Sequence, residues 1–112
     1  MEADWHMAAI LLANFDEEFR DRLAAFLRVE RHSVHVALEP APLSQLLRRA
    51  TVDLLIVDVS HRENYVRDLL ADLGAHRAKR GPRPSVLGVS RVYRGPRFAL
   101  DLERKGLRLI YV

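Results

Sequence analysis

Val52-Asp-Leu-Leu-Ile-Val-Asp58 decides the fold: an unbroken apolar run framed by two acids. Successive side chains of a strand point to opposite faces, so a run with no polar alternation describes a strand covered on both sides. Strands of that kind belong to parallel sheets flanked by helices, and in such sheets ligands and chemistry gather at the carboxyl ends of the strands. Asp58 stands at that end.

Working outward, the flanking sequence alternates between strand and helix patterns. Upstream, Ala8-Ala-Ile-Leu-Leu-Ala13 predicts a buried strand, and Asp16 precedes a helical stripe of Phe19, Leu23, Phe26 and Leu27. Asp16 reads as a helix N-cap or as a metal ligand, with Glu17 and Glu18 favourably placed near the positive helix end. Ser33-Val-His-Val-Ala-Leu38 alternates as a strand. Pro40 and Pro42 interrupt the chain, Pro42 suiting the first turn of a helix with Leu43, Leu46 and Leu47. Downstream, Tyr65, Val66, Leu69, Leu70 and Leu73 predict a third helix, with Gly74 as its stop or weak point. Ala75 to Pro84 is basic, carries Gly-Pro and Pro-x-Pro, and predicts a surface loop. Ser85-Val-Leu-Gly-Val-Ser90 is a fourth strand. Gly95-Pro96 opens a short helix with Phe98, Leu100 and Leu102, stopped at Gly106. Leu107-Arg-Leu-Ile-Tyr-Val112 is a fifth strand. The pattern predicts one α/β domain over 1–112, with no internal repeat.

Composition narrows the function classes. With 112 residues, 49% hydrophobic and 29% charged, the chain is globular and large enough for an ordinary core. It has no cysteine, which excludes disulfides, thiolate metal sites and thiol catalysis and suits a reducing cytoplasm. Apolar runs fall far short of the ~20 residues of a membrane span, and the acidic N-terminus lacks a signal-peptide layout. The net charge of +3 is unevenly spread: residues 1–60 balance at −4, whereas residues 76–112 balance at +8. That split suits an acidic partner for the C-terminal part, or simply a solvated Arg-rich surface.

The strand ends collect Asn14, Phe15 and Asp16 after the first strand, Asp58 after the third, and Ser90 and Arg91 after the fourth. In this order and spacing the chain resembles a response-regulator receiver domain, along nearly its whole length. The resemblance implies a three-layer α/β/α fold with a five-stranded parallel sheet of order 2-1-3-4-5. It makes Asp58 the candidate phosphoacceptor, approached by Asp53 to Val57, and Ser90 the strand-four hydroxyl. Lys105-Gly106 resembles the family's turn into strand five. Asp16, Asn14 and Asp58 would be the oxygen donors for Mg²⁺, the one cofactor the resemblance implies, and a histidine kinase would be the phosphodonor.

The chain also departs from the family. Aligned on the first helix, the acidic pair falls on Asn14 and Phe15; a phenyl ring supplies no oxygen and Asn14 no charge. Asp16 lies one residue further on. Val59-Ser-His-Arg-Glu-Asn64 lacks the family's Pro-containing turn and Gly, and the Lys that follows strand five would stand beyond Val112. His61 and Arg62 are placed to ion-pair with Asp58 or to decorate the loop. In an arbitrary α/β protein, Asp58 would be a cap or a surface acid and Ser90 a turn cap. The five histidines show no ligand spacing, and no Gly-rich phosphate loop or nucleophile elbow is present, so no enzyme activity is expected.

A receiver's last helix would follow strand five, and this chain ends there. Leu107, Leu109 and Tyr111 should face one way, with Arg108, Ile110 and Val112 facing the other, uncovered. The expectation is a homodimer or protein complex through helix four and strand five, unless further residues of a longer regulator cover that face. Three readings stand: a degenerate receiver acting through protein interaction, a competent phosphoacceptor using Asp58, and a nucleic-acid or small-ligand module on the same scaffold. The basic residues Arg91, Arg94, Arg97, Arg104, Lys105 and Arg108 favour the last only weakly, because no helix-turn-helix or RNP motif accompanies them.

Overall fold

The computed structural model describes residues 8–38, 43–49, 52–60, 63–81 and 84–112. The run that opened the sequence reading forms β3 (Leu54–Asp58), whose middle residues Leu55, Ile56 and Val57 are all buried. β1 (Ala9–Ala13) pairs parallel to it, β2 (Ser33–Val36) lies outside β1, and β4 (Ser85–Ser90) and β5 (Arg108–Tyr111) follow on the other side. The order is β2-β1-β3-β4-β5, all parallel, as the resemblance implied. Asp53 ties the amino ends together: its carboxylate accepts from Ala9 N at 2.9 Å and its N–H donates to Ala9 O at 2.8 Å.

Strand alternation divides the core in two. Leu11, Ala13, Leu55, Val57, Val86 and Leu107 face a layer made by α2 (Leu43–Arg49), α3 (Glu63–Arg80) and α4 (Pro96–Arg104). Ile10, Leu12, Ile56, Val34 and Val89 face α1 (Glu17–Val29), which contributes Ala24, Leu23 and Leu27. A fully buried Leu, Ile or Val contributes about 1.5–3 kcal/mol, so these two layers are the main source of stability. Along β5 and its flanks, Leu107 is buried and Leu109 packs on the α2–α4 side, while Ile110 and Val112 are exposed, as alternation predicted.

The helices carry expected and unexpected ends. Asp16 caps α1, its carboxylate accepting from Phe19 N at 3.1 Å. Gly95 and Pro96 open α4, and Gly106, at φ +97°, turns the chain into β5. The expected loop over Ala75 to Pro84 is corrected: α3 runs through Gly74 to Arg80. Gly74 costs such a helix only about 1 kcal/mol, and the Ala, Arg and Lys residues after it are good helix formers whose charges suit the negative helix end. The stop is Gly81, at φ +92°, whose N–H donates to Arg77 O at 3.1 Å. The Pro40 and Pro42 turn, the Pro82–Arg83 stretch, and His61 with Arg62 lie outside the described residues. Among the described residues, no helix is long and apolar enough to cross a membrane.

Candidate functional site

The parallel register brings Asp58 opposite Val89, so Ser90 emerges one residue beyond it at the same sheet edge. Asp58 is the last residue of β3 and its side chain is only 8% exposed. A carboxylate that deep needs donors, and two come from Ser60. Oδ1 accepts from Ser60 N at 2.8 Å and from Ser60 Oγ at 2.5 Å, an Asx-turn closed by its own hydroxyl. Ser60 is itself buried, and its Oγ in turn accepts from Arg91 N at 2.9 Å. Sequence reading passed over Ser60; the signal was there, since Asp-x-Ser at a strand end is an Asx-turn pattern.

The other oxygen of Asp58 faces a guanidinium. Arg91 Nη2 lies 3.4 Å from Asp58 Oδ2 and 2.9 Å from Asp16 Oδ1, so one nitrogen spans both acids. The guanidinium carbon also sits 5.5 Å from the ring centre of Phe19, a cation–π distance. Asp16 therefore serves twice, capping α1 through one oxygen and pairing with Arg91 through the other. The hydrogen bond from Phe19 N, seconded by Arg91, holds its carboxyl below the ordinary aspartate value, although partial desolvation opposes them.

The remaining expected residues divide. Asn14 follows β1 at the same edge, with a left-handed backbone at φ +65°. Phe15 stacks on Phe19, ring centres 5.4 Å apart, and packs on the α1-side core; the positive charge between the acids is supplied by Arg91. Ser90 is buried and its hydroxyl turns into its own loop, donating to Val92 O at 2.8 Å and accepting from Val92 N at 3.1 Å. The hydroxyl on Asp58 is thus that of Ser60. Beyond Ser90, Arg94 lies over Phe98 and donates to Ser60 O at 3.4 Å. Tyr111 packs on Tyr93 and donates to Gly95 O at 3.0 Å, which ties β5 to the loop before α4. Among the described residues, no three His, Asp or Glu side chains converge as a metal-binding group.

Solved structures share this fold. A protein from Burkholderia pseudomallei described as pilus assembly-related superposes with a TM-score of 0.71 at 20% identity, over 99% of this chain and 83% of that one. A response regulator protein from Burkholderia multivorans gives 0.65 at 20% identity, over 94% of this chain and 82% of its own. NtrX from Brucella abortus, in its complex with ATP, gives 0.65 at 20% identity over 93% of this chain. The chain spans 22% of NtrX's length. No protein-family model and no curated protein matches the sequence. These likenesses establish the flavodoxin-like architecture of receiver domains for this chain.

The sequence resemblance to receivers implied Mg²⁺ beside Asp58, with Asp16 and Asn14 as further donors. Mg²⁺ requires a near-octahedral shell of oxygens at about 2.0–2.1 Å. Here Asp58 Oδ1 is engaged by two Ser60 donors, and Asp58 Oδ2 and Asp16 Oδ1 converge on Arg91 Nη2. Phe15 offers no oxygen. The donor set does not fit the ion.

Proposed function

We propose that this domain is a receiver-like signalling module of a two-component type regulator in the cytoplasm, acting through protein contacts and performing no catalysis of its own. The observation that carries the reading is the state of Asp58: one oxygen is engaged by Ser60, and the other faces Arg91. A phosphoacceptor needs a free carboxylate oxygen as nucleophile and a cation for the phosphoryl charge. The first need conflicts with this arrangement, and the one cation at hand, Arg91, is already paired with both acids. The receiver fold, with a sheet edge so modified, suits a module whose output is set by binding.

The residues that favour a protein partner lie on α4, the loop before it and the uncovered face of β5. Val92, Tyr93, Leu100, Ile110 and Val112 are exposed apolar residues there, interspersed with exposed Arg97, Arg104 and Arg108. Apolar anchors with surrounding arginines are interface composition, and the charge suits an acidic protein surface.

Incubation with Mg²⁺ and a small phosphodonor, followed by intact-mass measurement, tests the reading. No Asp58-dependent phosphoryl mass is expected from the folded protein. A mass gain that Asp58→Asn abolishes would establish instead a competent acceptor, with Mg²⁺ and a histidine kinase as its partners.

A further inference from the structure

The mismatch between the site and a divalent ion has its own physical content. Two carboxylates from different elements, Asp16 at the start of α1 and Asp58 at the end of β3, point at one place. Left alone they would repel, and the deeper of the two would lack compensation for its charge. In this chain the place is taken by Arg91 Nη2, 2.9 Å from one acid and 3.4 Å from the other. The side chain is anchored from three directions. Its backbone N–H is fixed on Ser60 Oγ, its guanidinium lies over the Phe19 ring, and its residue follows directly on β4.

We infer that Arg91 is the resident cation of this site: a tethered guanidinium that bridges Asp16 and Asp58, excludes divalent metal, and links α1, β3 and the loop before α4 without one. The inference deepens the proposed function, on which it rests for its significance. A free ion binds and leaves with its concentration, whereas a tethered one is present at a fixed local concentration. The domain therefore holds the connection from Asp58 to the α4 loop whatever the Mg²⁺ level. The same guanidinium raises the positive potential at the acids, so a divalent ion meets repulsion as well as a filled position.

The test titrates Mn²⁺ into ¹⁵N-labelled full-length protein and follows paramagnetic broadening of the backbone amides, with Mg²⁺ as competitor. The wild-type chain should show no saturable broadening centred on Phe19, Ser60 and Arg91. Arg91→Gln removes the charge while keeping a side chain of similar reach. It should acquire saturable broadening at those amides, at least about ten-fold tighter than any wild-type response, as expected when a nearby like charge is removed. Mg²⁺ should reverse the effect and a second change, Asp16→Asn, should abolish it. Saturable broadening at this edge in the wild type overturns the inference, as does its absence in a folded Arg91→Gln protein. Should Arg91→Gln not fold, the wild-type titration decides alone, by the same criterion. Phosphoryl transfer is a separate readout: a wild-type chain that gains a phosphoryl group on Asp58 yet binds no Mn²⁺ defeats the proposed function and leaves Arg91 in this role.

Discussion

Arg77 Nη1 donates to the carbonyl of Gly106 at 3.1 Å, and the same nitrogen lies where a β-carbon on Gly106 would be. The end of α3 is thereby latched to the turn between α4 and β5. Gly106 is needed twice, for its φ of +97° and for the room it leaves the guanidinium. Gly106→Ala should destabilise the protein by about 1–3 kcal/mol, from left-handed strain and the displaced arginine together. Urea denaturation measures this. In the Arg77→Ala background the added cost of Gly106→Ala should shrink to the backbone part, because the two residues touch. Full additivity would show that Arg77 has no share in it.

Gly74 presents the opposite case. It sits inside α3, exposed, with nothing within 4 Å of where its β-carbon would go. Gly74→Ala should stabilise the protein by about 0.5–1 kcal/mol, since alanine loses less backbone freedom and meets no neighbour. A raised midpoint in urea with unchanged slope is the expected result; a lowered one would mean that α3 bends there.

The strands and the placing of Asp58 were legible because double-sided burial writes itself as uninterrupted Leu, Ile and Val, and the carboxyl-edge rule does the rest. Helix α3 reads short in the sequence because Gly74 and the prolines after Gly81 look like one loop, whereas a single glycine is a small cost that the five Ala, Arg and Lys residues after it outweigh. Arg91 was legible at the carboxyl end of β4 beside Ser90 and as one of the arginines of a basic half, but not as a partner of the two acids. Its role depends on the approach of α1 and β3, segments separated from it by 75 and 33 positions in the chain, and no local spacing encodes that. Ser90 was read by position alone, and the direction of a hydroxyl follows from loop conformation, here the turn to Val92.

Asp16 should make the stability pH-dependent on the acid side. Its folded carboxyl titrates below the ordinary aspartate value, chiefly through the Phe19 N–H bond and next through Arg91. A depressed folded value means that its contribution is complete above the unfolded aspartate value and fades as pH falls through the lowered one. Urea midpoints across that range should therefore decline less steeply in Asp16→Asn, which keeps a cap acceptor and loses the ion pair. A direct ¹³C titration of the Asp16 carboxyl showing an ordinary or raised midpoint would contradict the geometry.

The exposed apolar residues of α4 and β5 predict self-association or partner capture that responds to charge. Replacing Ile110, 44% exposed, by Asp should leave folding within about 0.5 kcal/mol, because the site is open to water. If the wild type is a dimer by sedimentation, the variant should dissociate at least about ten-fold more readily, the scale of losing one interface anchor. An unchanged dissociation constant would move the interface elsewhere.

Ser60 is the last residue whose removal separates structure from decoration. Its hydroxyl donates to Asp58 Oδ1 and accepts from Arg91 N, and it is 2% exposed, so no water stands ready to replace it. Ser60→Ala leaves a buried carboxylate short of one donor and a backbone N–H without its acceptor, an expected loss of about 1–3 kcal/mol. The carboxylate would retain Ser60 N and Arg91, so the fold should survive and the loss should fall on the edge itself. Amide exchange should then accelerate at Arg91 more than in the middle of β3, because the first loses its acceptor and the second keeps its ladder. Equal protection at both in Ser60→Ala would mean that the hydroxyl does not hold the α4 loop to Asp58.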